Sequence, residues 1–315
     1  MGTPAFAAES LSAIIDAGHD VAAAITRPDA RAGRGRKMQP PAVKQAGSAR
    51  GIPILQPGDV ASQRFLGEIA ALKPEIIVVV AFGRILTQAL LDLPPRGAIN
   101  VHASLLPRLR GASPIVWAIA RGERETGVTT MRMVRQLDAG EILLQRATTI
   151  GGAETAGRLE QRLAAMGARL LVETLEGLAA GRLAPRAQDE RLATWAPLLK
   201  KEDGVIDWSQ PAEEIARRVR AFDPWPGARA TMPGASGRAV RIWKAAALTR
   251  PEPGAVPGMI LEVIKDGAGA GLVVGCGGQT ALLVTELQPE GRNRMTAQEA
   301  ISGRHLGQGD LLAGP

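Results

Sequence analysis

The apolar positions of the first half of the chain follow two rhythms. Val21–Ile25, Ile76–Val80, Gly97–Val101, Val128–Val134 and Glu141–Ala147 are short runs rich in apolar residues. Between them, Phe6–Ala17 and Phe65–Leu72 return to an apolar residue at helical spacing. The first rhythm predicts strands buried on both faces, the second amphipathic helices. Their alternation predicts an α/β domain, a Rossmann-like parallel sheet with helices on both faces. A longer helical pattern, Glu154–Ala180, closes this half, and Glu154 and Thr155 stand where its N-terminus should be.

The texture then changes. Residues 181–200, "GRLAPRAQDERLATWAPLLK", are mixed and polar with two prolines, as a surface linker would be. Beyond them Ala212–Phe222 predicts a helix. Arg238–Ala245, Met259–Val263, Leu272–Gly275 and Ala281–Leu287 predict short strands separated by Gly and Pro clusters. Frequent turns between short strands suggest a small, OB-like β-barrel. The expected organisation is a catalytic domain at 1–180, a linker at 181–200 and a C-terminal barrel at 201–315. "GAGAGL" at 267–272 lies between two strands and opens no helix, so it predicts a hairpin turn rather than a nucleotide loop.

A length of 315 residues agrees with two domains, and 45% hydrophobic with 22% charged residues is a globular balance. No apolar run reaches the ~18 residues of a membrane span, and the first residues lack the basic and apolar regions of a secretory signal, so a cytoplasmic protein is expected. One cysteine, Cys276, excludes an intrachain disulfide, and the absence of CxxC and HExxH patterns argues against a metal site. The net charge of +7 suits a polyanionic partner.

Chemistry concentrates at "INVHASLLPRLRGASP", residues 99–114. Asn100 and His102 are two apart on a predicted strand and so share a face, at the carboxyl end where α/β sheets gather ligands. An amide and an imidazole there can hold a developing oxyanion and move a proton, or they are a satisfied buried polar pair. A carboxylate beside the imidazole would favour catalysis, and Asp138 of "QLDAGE" is a candidate. Asp138 is equally an ordinary turn residue before Gly140.

A second cluster follows the first predicted strand. In "RPDARAGRGRKMQPPAVKQAG", residues 27–47, Arg27, Arg31, Arg34, Arg36, Lys37 and Lys44 face one acid, Asp29. Gly33, Gly35, Pro40 and Pro41 predict an irregular mobile loop. It is either a solvated loop or a grip for phosphates at a single-stranded end.

In this order, "MGTP", "INVHASLLPRLRGASPI", "GVTTMRMVRQLDAGEI", "LLKKEDGVIDW" and "RAFDPWPGA" resemble the methionyl-tRNA formyltransferase family over almost the whole chain. The Asn-x-His and Leu-Asp-x-Gly elements resemble the signature of 10-formyltetrahydrofolate-dependent formyltransferases generally. The resemblance implies Asn100, His102 and Asp138 as a catalytic trio. It implies Ser104, Leu105, Leu106 and Pro107 as a folate-contacting segment, and Phe82, Gly83, Arg84, Ile85 and Leu86 as the pocket wall. Arg31, Arg34, Arg36 and Lys37 would meet the acceptor end of initiator methionyl-tRNA. Arg217, Arg218, Arg220, Arg241, Lys244, Arg292 and Arg294 would form a weaker phosphate track. The implied co-substrate is 10-formyltetrahydrofolate with no metal, and the implied protein is a monomer that needs no membrane. A sugar-nucleotide amine formyltransferase is the alternative, although a small acceptor gives the basic loop no obvious work. The family carries an apolar strand immediately before the "GTP" turn. With Met1 at that point, the sheet is expected to lack its first strand.

Overall fold

The computed structural model describes every residue except 33–36, 233–236, 250–251, 266, 268–269 and 315. The chain divides into two compact units. One holds residues 1–114, 125–149 and 159–197; the other holds 115–124, 150–158 and 198–315.

In chain order the elements to residue 179 are α1 (Ala5–Asp16), β1 (Ala24–Ile25), β2 (Ala30–Ala32), β3 (Lys37–Gln39), α2 (Ala42–Ala49), β4 (Ile54–Leu55), α3 (Gln63–Ala71), β5 (Ile77–Val79), α4 (Gln88–Leu91), β6 (Ala98–His102), α5 (Pro114–Ala120), β7 (Glu125–Arg132), β8 (Ile142–Thr149) and α6 (Ala156–Ala179). The sheet of the first unit is mixed, not parallel throughout. Pairs β1·β4 and β5·β6 are parallel, whereas β6·β7 and β7·β8 are antiparallel. The reason the pattern misleads lies in β7, where every residue from Thr126 to Met131 is buried. Cover on both faces gives a continuous buried run whatever the strand direction. On α6, Leu159, Leu163, Leu170 and Leu171 are buried, and Thr174 Oγ1 lies 2.8 Å from Thr130 Oγ1 of β7.

Residues 1 and 2 lie between β1 and β5. Gly2 N donates to Ile25 O at 2.9 Å, and Val80 N donates to Met1 O at 2.9 Å. Gly2 forms one parallel bridge, to Val80. Beside this short stretch, residues 19–25 and 72–78 line a cavity of about 400 Å³.

In the second unit, the elements are α7 (Ala212–Ala221), β9 (Ala228–Thr231), β10 (Ala239–Ala247), β11 (Ile260–Ile264), β12 (Gly271–Cys276), β13 (Thr280–Pro289), β14 (Met295–Thr296) and α8 (Ala297–Ser302). The strands run β11-β12-β13-β10-β9, with β14 on β13, and the pairings are antiparallel. This corrects the expected OB-like barrel: among the described residues no ladder joins β11 to β9, and the sheet stays open. Its edges are instead met by single bridges from the C-terminal tail, Thr231 to Ala313 and Met259 to Leu311. Such bridges cover exposed strand edges without closure. Ala212, Ile215, Ala216 and Val219 form the buried stripe of α7, in one core with Val240, Ile242, Leu272 and Leu287 of the sheet.

Candidate active site

β6 ends the parallel part of the first unit's sheet and carries Asn100 and His102 on one face, opposite Met131 and Thr129 of β7. Ile99 and Val101, on the other face, are buried. Asn100 is half-buried, and its side-chain amide has no hydrogen-bond partner among the described residues. His102 is buried; its Nε2 lies 2.9 Å from Leu109 O and its Nδ1 lies 3.7 Å from Asp138 Oδ2. A carbonyl only accepts, so Nε2 carries a proton that it donates to Leu109. The ring position left for proton exchange is therefore Nδ1, which faces Asp138. The structure brings His102 and Asp138 together, a meeting that spacing alone left open. The 3.7 Å gap exceeds hydrogen-bond length.

Two loops make this meeting. Leu109 has φ 58° and Asp138 φ 50°, both in the left-handed region that few side chains adopt without support. Support comes from close backbone contact. Gly111 N donates to Asp138 Oδ2 at 2.8 Å, and a Cβ on Gly111 would stand 2.6 Å from Ala196 O. A Cβ on Gly140 would fall on the carbonyl oxygen of Arg132. Neither glycine can gain a side chain without moving the loop that carries Asp138 or the one opposite it.

The Ser104–Pro107 turn is pinned from beneath by Thr129 of β7, a fully buried residue. Its hydroxyl donates to Ser104 O at 2.6 Å and accepts from Leu106 N at 3.1 Å and Gln145 Nε2 at 3.0 Å. Gln145 also donates to Leu106 O at 2.8 Å. Ser104 and Leu106 are buried, while Leu105 and Pro107 are half-buried. Across the 82–86 loop, Phe82 and Leu86 are likewise buried, Gly83 and Ile85 are exposed, and Arg84 donates to Pro57 O and Gly58 O at 3.1 and 2.7 Å. Of the residues expected to touch a folate, Leu105, Pro107, Gly83, Arg84 and Ile85 thus have accessible side chains or backbone. Ser104, Leu106, Phe82 and Leu86 hold the frame.

Four participants escaped the sequence reading: Thr129, Gln145, Arg110 and Gln188. Arg110 is wholly buried. Its guanidinium donates to Gln188 Oε1 from Nε at 3.1 Å and Nη2 at 2.7 Å, and to both oxygens of Glu190 at 2.8 Å. These bonds hold the Glu190 carboxyl below its ordinary range. Gln188 Nε2 in turn donates to Asp138 O at 2.8 Å and Gly140 O at 2.7 Å. Gln188 and Glu190 come from the stretch read as a linker, where no spacing or motif marked them.

The basic segment is more regular than expected. Ala30–Ala32 and Lys37–Gln39 pair as antiparallel strands, with Arg31 opposite Met38. Arg31 and Lys37 are exposed, and Arg34 and Arg36 lie outside the described residues. Lys44 is bound at 2.9 Å to both oxygens of Asp29, whose carboxyl is held low by Gln56 Nε2 and then by Lys44. In the second unit several basic residues of the proposed track have acidic neighbours. Arg294 lies 2.7 Å from Glu286, Arg218 lies 3.7 Å from Glu214, and Lys244 lies 3.9 Å from Glu286. Arg241 and Arg292 are exposed.

The end of β6 thus carries an amide and an imidazole, with a carboxylate 3.7 Å from the imidazole. The family model described as formyl transferase matches residues 1–175, and the one described as formyl transferase, C-terminal domain, matches residues 198–305. The chain therefore belongs to the formyl transferase family, in its methionyl-tRNA formyltransferase branch. Methionyl-tRNA formyltransferase of Geobacter metallireducens is 47% identical over 312 residues, covering 99% of this chain and 97% of its own. That of Moorella thermoacetica is 48% identical, with the same coverage. In fold, the chain is similar to an N-formyltransferase from Helicobacter canadensis solved with folinic acid and dTDP-3-aminofucose. That likeness has a TM-score of 0.62 and 17% identity, covering 90% of this chain and 96% of that one. HypX from Aquifex aeolicus, solved with tetrahydrofolic acid, gives a TM-score of 0.56 and 22% identity over 83% of this chain and 44% of that one. No helix among the described residues is long and apolar enough to cross a membrane.

Proposed function

We propose that this chain transfers the formyl group of 10-formyltetrahydrofolate to the α-amine of methionine on initiator methionyl-tRNA, supplying formylmethionyl-tRNA for translation initiation. The observation that carries this reading is its near-full-length identity to methionyl-tRNA formyltransferases. The catalytic trio is Asn100, His102 and Asp138. The reading keeps a catalytic domain at 1–180 and a tRNA-binding domain at 201–315, joined by 181–200, of which 181–197 packs within the first unit. It puts the reaction in the cytoplasm, where initiator tRNA is charged and used.

10-Formyltetrahydrofolate supplies an activated formamide, whose carbon takes the amine and whose N10 departs with a proton. Asn100, with its amide unengaged at the sheet end, donates to the formyl oxygen as it gains negative charge. Such a donor is worth ~10²–10³ in rate. The acceptor's α-ammonium sheds two protons overall, one before attack and one as the C–N bond forms. N10 takes up one proton, so the reaction releases one. Asp138 accepts from the ammonium, and His102 Nδ1, beside it, holds or passes on the proton while Leu109 O fixes the ring through Nε2. Leu105, Pro107 and the Gly83–Ile85 loop would flank the folate ring, and Arg31, Arg34, Arg36 and Lys37 would grip the acceptor end.

The test offers the purified chain 10-formyltetrahydrofolate with methionyl initiator tRNA, methionyl elongator tRNA or an amino-sugar nucleotide. Transfer to the initiator is expected. Transfer to the sugar nucleotide alone would overturn the reading.

A further inference from the structure

The arrangement around Asp138 points beyond the trio. Asp138 and Leu109 both hold left-handed backbone, and no helix or strand ladder imposes it on either. The Asp138–Gly140 turn receives two hydrogen bonds from one side chain, Gln188, through Asp138 O and Gly140 O. An amide can turn over and exchange its ends, but this one cannot. Arg110 has only donors, so Gln188 must present Oε1 to it and Nε2 to the turn. Arg110 is wholly buried, and the bidentate Glu190 matches its charge. The next residue after Arg110, Gly111, gives its N–H to the Asp138 carboxylate itself. Both ends of the turn, backbone and carboxylate, thus hang on one unit: Arg110, Gly111 and Gln188.

The surrounding backbone fixes that unit in place. Arg110 N donates to Thr194 O at 2.8 Å and Ala196 N donates to Arg110 O at 2.7 Å. Leu109 N donates to Thr194 Oγ1 at 2.8 Å, which locks the same residue whose carbonyl holds His102. Residues 188–196 therefore grip both partners of the 3.7 Å His102–Asp138 approach.

We propose that Gln188 and Arg110 are positioning residues for formyl transfer, and that the 188–196 stretch is a clamp that sets the Asp138 carboxylate against His102 rather than a passive connector. This rests on the formyl-transfer reading of the site. Misplacing a reacting group by about 1 Å can cost ~10²-fold in rate.

The test compares the wild-type chain with Gln188→Met, which keeps the length and loses all four bonds, the two from Arg110 and the two to the turn, and with Gln188→Glu. The glutamate still accepts from Arg110 but sets an oxygen against the carbonyls of Asp138 and Gly140. Both variants should lose at least tenfold in kcat for formylation, with KM for tRNA and for 10-formyltetrahydrofolate changed less than twofold. Hydrogen exchange at the Gly111 amide should quicken in both, a readout independent of catalysis. If Gln188→Met does not fold, Gln188→Asn, shorter by one methylene, is expected to give the same split. Wild-type kcat in the folded variants, or a rise in KM alone, would overturn the clamp. If the wild-type chain formylates nothing, the functional reading fails. Unchanged Gly111 exchange would then overturn the clamp separately.

Discussion

Thr129→Val tests the foundation of the site with almost no change of shape. Both residues are β-branched, so the strand propensity of β7 is kept. What disappears is one hydroxyl that donates to Ser104 O and accepts from Leu106 N and Gln145 Nε2. Gln145 keeps a partner in Leu106 O. Ser104 O and Leu106 N lose the only hydrogen bonds described for them, within a buried turn. Two buried groups left unpaired cost roughly 1–3 kcal/mol each, so about 3 kcal/mol in total is a central expectation. For a folded body of this size that is a fall of roughly 6–12 °C in Tm. Thr129→Ser keeps the oxygen and loses one methyl, worth about 0.8 kcal/mol. Urea and thermal unfolding followed by circular dichroism would rank wild type above the serine variant and the valine variant last. The valine variant should also lose kcat/KM for 10-formyltetrahydrofolate, because Ser104–Pro107 is no longer tied to β7. Were the valine variant within 0.5 kcal/mol of wild type and the serine variant no better, the hydroxyl would not be what holds the turn.

Replacing Arg34, Arg36 and Lys37 together by alanine should flatten the salt dependence of initiator tRNA binding by about two units of log–log slope, at ~0.7 per lost contact on a single strand; an unchanged slope in filter binding would exclude this segment from phosphate contact. Cys276 is buried in β12 and its thiol is pushed up to about 12 by burial. Between an unfolded value of ~8.5 and that figure the native state keeps a proton that the unfolded chain releases. Stability should therefore fall as pH rises through this window, and Cys276→Ala should lessen that fall in urea titrations at successive pH values.

Much of this architecture could be read from the chain, and the failures share a cause. The longer helices came through because their stripes are buried on one side: Phe6–Ala17 is observed as Ala5–Asp16, and Ala212–Phe222 as Ala212–Ala221, whereas the short helices Ala42–Ala49, Gln88–Leu91, Pro114–Ala120 and Ala297–Ser302 were not read. The longer strand positions came through, the short β2, β3, β4, β9 and β14 did not, and strand direction did not, since β7 is buried on both faces and reads like a parallel strand. Closure of the second sheet was misjudged because turn spacing reports hairpins and says nothing of whether the first and last edges meet. Asn100 and His102 were singled out on residue type and strand-end position, whereas Asp138, equally readable as a turn residue, joined them only through the family resemblance. Gln188, 50 residues from Asp138, carries no local mark at all. It belongs to the site through a side chain whose orientation is set by a third residue, Arg110, and such a relation exists only in three dimensions.

The most direct test of the central claim is single-turnover transfer of labelled formyl from 10-formyltetrahydrofolate to methionyl initiator tRNA, in the wild-type chain and in Asn100→Ala. The account predicts rapid transfer to the initiator, poor transfer to methionyl elongator tRNA, and a loss of ~10²–10³ in rate for the variant at unchanged tRNA affinity. Equal rates for wild type and a folded Asn100→Ala would contradict it.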